Sequence, residues 1–161
     1  MYRRILVPVD GSPTSTLGLQ EALGLARDQN ARVRIVNVVD EMILTQPMDM
    51  YAMTQSADLL ESLRDSGRKA LDQAAALASK RKVKVECELL ESRSRAVSDV
   101  ILNETKKWRA DLLVMGTHGR RGMNRMLLGS DAERIVREAP VPVLLVRGDR
   151  PQRRGAKKRA T

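Results

Sequence analysis

Rings, sulfur pairs and metal ligands are scarce in this chain. Its 161 residues hold no phenylalanine, one tryptophan and two tyrosines. So few rings make a base-stacking platform for single-stranded nucleic acid hard to build. The one cysteine, Cys87, excludes an internal disulfide framework and fits a reducing compartment. It reads as a small, half-buried residue on a strand. With one histidine, His118, nothing resembles a set with metal-ligand spacing. No apolar run approaches the roughly eighteen residues of a membrane span. The opening Met1–Asp10 stretch is too short in apolar residues for a signal peptide, and Asp10 interrupts it. A cytoplasmic protein of one domain is expected, long enough to bury a core.

Charge is abundant and uneven. The formal net charge is +9. Much of it lies in the tail, residues 148–161, where Arg150, Arg153, Arg154, Lys157, Lys158 and Arg159 face only Asp149. With almost nothing apolar to offset its ordering entropy, this tail is expected to be disordered. It is suited either to touching RNA, DNA or anionic lipid, or simply to keeping the protein in solution. The folded domain is therefore expected over 1–147.

Within that domain, short apolar runs alternate with helical periodicity. Arg4–Val9, Val33–Val39, Val83–Leu89, Leu112–Met115 and Pro140–Val146 read as five strands. Ser12 followed by Pro13 is a helix start, and Leu19, Ala22, Leu23 and Ala26 share one face. Asp40 to about Gln55 reads as a long loop rich in methionine; Met42, Met48, Met50 and Met53 could form a lid but suit gap-filling better. A second helix carries Leu60, Leu63, Gly67, Leu71, Ala74 and Ala78. Ser94 precedes a third, with Val97, Val100, Ile101 and Trp108 inward. A fourth buries Ala132, Ile135, Val136 and Ala139. The clean alternation of Val83–Leu89 suggests one solvated face near a sheet edge.

The alternation predicts an α/β fold: an open, five-stranded parallel sheet with helices on both faces, for which the common doubly wound order is 3-2-1-4-5. Pro142 cannot donate a ladder hydrogen bond, so the fifth strand is expected at an edge. An apolar edge invites a second copy, which predicts a homodimer through Val141 to Val146.

The densest chemical signal is Gly116-Thr117-His118-Gly119, nine residues, then Gly129-Ser130. A strand, a glycine-rich loop and a helix start form a phosphate cradle: glycines let amides approach an anion, and a helix N-terminus supplies free N–H groups. Ser130 is suited to cap the helix or to give its hydroxyl to phosphate. Asp10, at the end of the first strand, would neighbour this loop at the point where strand order reverses. It could accept from a ribose hydroxyl or an adenine amine, or face a divalent ion; equally, Asp10-Gly11 could be no more than a tight turn. Val38 would offer its backbone to the base. Arg120, Arg121 and Arg125 would add countercharge or form a solvated face. His118 could contact phosphate or serve as an ordinary loop residue.

Three segments then match a family. Ile5-Leu6-Val7-Pro8-Val9-Asp10-Gly11-Ser12, the glycine spacing above, and Pro140-Val141-Pro142-Val143-Leu144-Leu145-Val146 resemble the universal stress proteins in their single-domain, ATP-binding branch. The resemblance spans roughly residues 2 to 147. It implies a Rossmann-like five-stranded domain that dimerises through the fifth strand, and ATP or AMP as ligand, often with Mg2+ or Mn2+. Carried over by position, Pro8, Val9, Asp10 and Val38 would frame the adenosine. Met115, Gly116, His118, Gly119, Gly129 and Ser130 would frame the ribose and phosphates. It also implies a stress-response regulator with an unidentified protein partner and little catalysis. Where the family often places an apolar residue after Gly-Ser, this chain has Asp131, which is expected to point away from the phosphates, with AMP and ADP open as alternatives to ATP. The other readings are a slow ATP hydrolase or phosphotransferase, with Asp10 holding metal and His118 orienting water, and an anion- or nucleic-acid-binding adaptor acting through the tail. The Gly-Lys-Ser/Thr of a Walker loop is absent.

Overall fold

The computed structural model describes residues 1–41, 50–117 and 129–148, with side chains in the second segment from residue 57. Its elements are β1 (Arg4–Pro8), α1 (Pro13–Gln29), β2 (Arg32–Val39), α2 (Met50–Lys80), β3 (Val85–Glu91), α3 (Val97–Lys107), β4 (Leu112–Gly116), α4 (Ser130–Glu138) and β5 (Val143–Val146). The five strands form one parallel sheet in the order β3-β2-β1-β4-β5, as expected. Ile5 pairs with Val33 on one side and with Leu112 on the other. Among the described residues no helix is long and apolar enough to cross a membrane.

Successive residues of a strand point to opposite faces, so the unbroken apolar runs of β1 and β4 feed two cores. Ile5, Val7 and Val114 pack with Leu19, Leu23 and Leu71 under α1 and α2. Leu6, Val36 and Leu113 pack with Ile101, Trp108 and Ile135 under α3 and α4. Each fully buried aliphatic side chain contributes about 1.5–3 kcal/mol relative to an exposed one. Ser12 caps α1, its Oγ accepting from the Ser15 N–H at 3.1 Å, and Pro13 opens the helix.

Several expectations shift. The segment read as loop up to Gln55 is helical from Met50. The third strand runs two residues later, because Lys82 turns left-handed (φ 58°) and the Val83 N–H donates back to Ala78 O at 3.1 Å, closing α2. Ser94 precedes α3 as expected, but Ala96, extended at φ −64° and ψ 146°, takes the cap position, so the helix starts at Val97. Val136 is exposed rather than core-facing, and Cys87 is exposed rather than half-buried. β5 lies at an edge but enters the ladder only at Val143.

The polar face of β3 is not simply solvated. Arg34 of β2 donates to Glu86 (2.7 Å), Glu88 (2.8 Å) and the buried Glu104 of α3 (2.6 Å). Arg32 also pairs with Glu86. The Trp108 indole N–H donates to Glu86 at 3.2 Å, and the Arg4 guanidinium lies 4.5 Å from that ring's centroid. This cluster sits at the N-terminal ends of the strands. Hydrogen bonds from Arg34 and Arg32 hold the Glu86 carboxyl down at about 2.

α1 crosses β4 very closely. A Cβ on Gly116 would meet the Thr14 carbonyl carbon at 2.8 Å and the Ser15 amide nitrogen at 3.0 Å, both backbone atoms. Gly18 reciprocates, its missing Cβ lying 3.2 Å from the Gly116 nitrogen.

Two outcomes follow for stability. Gly116→Ala should cost about 1–3 kcal/mol in denaturant unfolding, since backbone must move. Gly24→Ala, with nothing within 4 Å of the added Cβ, should instead gain about 0.5–1 kcal/mol. The folded carboxyl of Glu86 lies below its ordinary 4.5, so it stabilises the fold above that pH and stops doing so as pH falls toward about 2. Glu86→Gln should flatten the acid limb of a thermal-melt pH profile between those values.

Candidate functional site

β1 and β4 are neighbours, but their following helices leave toward opposite faces of the sheet. This is the switch point, and its C-terminal end gathers the candidate residues. Beyond β1, the Val9 N–H donates to Val36 O and the Val9 carbonyl accepts from Asn37 Nδ2, each at 2.8 Å. That brings Asp10 to the rim. Its Oδ1 accepts from the Ser12 N–H at 2.9 Å, and Gly11 takes φ +80°, where a side chain would be strained. Asp10-Gly11 is thus a tight turn, and the turn sets the carboxylate at this pole.

Across the crevice, Thr117 is stapled on both sides. Its N–H donates to Val146 O at 3.0 Å, and its carbonyl accepts from the Gly129 N–H at 3.1 Å. Thr117 and Gly129 are therefore locked together by backbone. Gly129, extended at φ −63° and ψ 149°, is the N-cap of α4, and its carbonyl takes the Glu133 N–H at 2.8 Å. Ser130, expected as a possible cap, is instead the first helical residue, exposed and making no cap hydrogen bond. The helix start therefore carries no side-chain cap. Its leading N–H groups have no acceptor within the helix, which suits an anion.

The structure brings Pro8, Val9, Asp10, Met115, Gly116, Gly129 and Ser130 to one pole, with Val38 at the same end of β2. Met115 is buried, and Val38 packs on the α3–α4 side of the sheet with it. His118 and Gly119 lie outside the described residues, as do Arg120, Arg121, Arg125, Met42, Met48 and residues 149–161. Among the described residues no group of three or more His, Cys, Asp or Glu side chains is arranged to hold a metal.

Asp131 points sideways, as expected: its Oδ1 accepts from the Ser98 N–H of α3 at 3.1 Å. Ala96 gives α3 no side-chain cap, so a carboxylate from another helix supplies the acceptor. Arg134 of α4 binds Asp99 of α3 at 2.7 Å beside it. Sequence reading missed this clasp, and it missed Thr117. Both are contacts between distant segments with no local spacing to announce them.

The described surface offers backbone N–H donors, the positive end of a helix and a carboxylate, an arrangement for holding an anion attached to a hydrogen-bonding group. The chain as a whole is similar to proteins of known kind. The model of the universal stress protein family matches residues 1–147. A universal stress protein of Methanocaldococcus jannaschii is 35% identical over 148 residues, covering 91% of this chain and 83% of that protein. A solved structure from the same family in Burkholderia pseudomallei is 31% identical with TM-score 0.71, covering 90% of this chain and 96% of its own. A universal stress protein solved in complex with cAMP is 25% identical with TM-score 0.64, covering 90% and 97%. The chain belongs to the universal stress protein family.

Proposed function

We propose that this chain binds an adenine nucleotide at the β1–β4 switch point and acts in the stress response as a homodimeric regulator rather than through rapid turnover. The observation that carries the reading is the stapling of Thr117 to Gly129. It holds the start of α4, which has no side-chain cap, against the end of β4, the strand that pairs with β1 before the Asp10 turn. A phosphate fits such a start because the helix dipole and free amides both favour negative charge. Pro8, Val9, Asp10 and Val38 would frame the adenosine. Met115, Gly116, His118, Gly119, Gly129 and Ser130 would frame the ribose and phosphates. The relative solved with cAMP supports an adenine nucleotide as the ligand class. ATP and AMP are both candidates, with Mg2+ or Mn2+ entering alongside the phosphates.

Dimerisation is proposed through Val141 to Val146. β5 is an edge strand whose Leu144 is 37% exposed, and Val136 of the adjoining helix is 47% exposed. Unpaired apolar edges of this kind favour pairing with a second copy.

Calorimetric titration with AMP, and with ATP plus magnesium, should show one site per chain, and denatured protein should release adenine nucleotide. Gly129→Glu adds bulk and like charge at the helix start and should weaken either ligand at least about tenfold, with the melt little changed. Equal binding by that variant would mean the phosphates sit elsewhere. For the dimer, Leu144→Glu should convert the sedimenting species from twice the chain mass to one. A wild-type protein that already sediments as a monomer at micromolar concentration would end that part of the reading.

A further inference from the structure

We propose that Asp131 selects how much phosphate charge the site accepts, favouring a nucleotide with a single phosphate over a triphosphate. The inference rests on the nucleotide reading above and sharpens it. Asp131 is the second residue of α4, within the first turn whose amides face the proposed phosphate. Its carboxylate does not swing freely, because the Ser98 N–H holds it at 3.1 Å against the start of α3. The residue is only partly exposed, so water screens it incompletely.

Neighbouring carboxylates are compensated. Glu133 is paired with Arg137 at 3.0 Å, and Asp99 with Arg134 at 2.7 Å. Among the described residues no cation lies within 4.0 Å of Asp131. A fixed negative charge thus stands beside a site built for negative charge. The repulsion it exerts grows with each charge the ligand carries. A monophosphate still gains from the helix start, while every further phosphate adds repulsion without adding a helix amide. Between unit charges a few ångströms apart, in surroundings between water and protein surface in polarity, such repulsion amounts to about a tenfold change in affinity.

The Ser98 hydrogen bond also makes Asp131 a positioning residue, since it joins the two helix starts. Two substitutions separate these roles. Asp131→Asn keeps an acceptor for the Ser98 N–H and removes the charge. Asp131→Ala removes both, leaving that amide without its side-chain acceptor and lowering the melting midpoint by about 2–4 °C.

AMP and ATP are titrated without divalent metal into wild type and both variants, so that no cation masks the phosphate charge. Wild type should prefer AMP. Asp131→Asn should raise the ATP-to-AMP affinity ratio about tenfold with an unchanged melt. Asp131→Ala should shift the ratio in the same direction while melting earlier. An unchanged ratio in the Asn variant would overturn the selection and leave the nucleotide reading standing. A wild-type protein that binds neither nucleotide would end both.

Discussion

The pairing of β1 with β4 is the constraint from which the rest of the structure follows. β1 is followed by α1 on one face and β4 by α4 on the other, so the backbone leaves the two strands in opposite directions at their carboxyl ends. In doubly wound sheets such a switch point opens a crevice for topological reasons, whatever side chains line it. What this sequence adds is a way to keep both lips in register. Thr117 bonds backbone to backbone with Val146 on one side and Gly129 on the other, while Val9 is held from β2 by Val36 and Asn37.

Gly116 is the residue on which two explanations meet. Its place after a buried strand suggested a backbone that approaches phosphate. The structure gives it a second reason: Thr14 of α1 comes so close that a methyl group would strike backbone. The two demands are compatible, because the same close crossing brings the Asp10 turn and the end of β4 together. A glycine here fixes the crevice by packing before any ligand arrives.

The charged residues divide between the poles of the sheet. At the N-terminal ends, Arg34, Glu86, Glu88 and Glu104 satisfy one another around Trp108, and the opposed charges largely serve the fold. At the C-terminal ends, a carboxylate of α4 serves α3 and leaves its own helix start uncapped. The polar periodicity of β3 resembled a solvated face because hydrophobic pattern records which residues avoid apolar neighbours, not whether an arginine from the next strand waits opposite them.

Local chemistry determined much of this protein. Continuous apolar runs marked buried parallel strands, Ser12-Pro13 marked a helix start, and Pro142 marked an edge. These are properties of a few adjacent residues and survive translation into three dimensions. Only the tertiary structure decided where α2 and α3 begin, that Gly129 rather than Ser130 takes the N-cap position of α4, that Arg34 pairs with the β3 carboxylates, and that Asp131 reaches Ser98. Each of those depends on which backbone group is left without a partner once the sheet has assembled, and that is fixed by contacts between segments far apart in the chain.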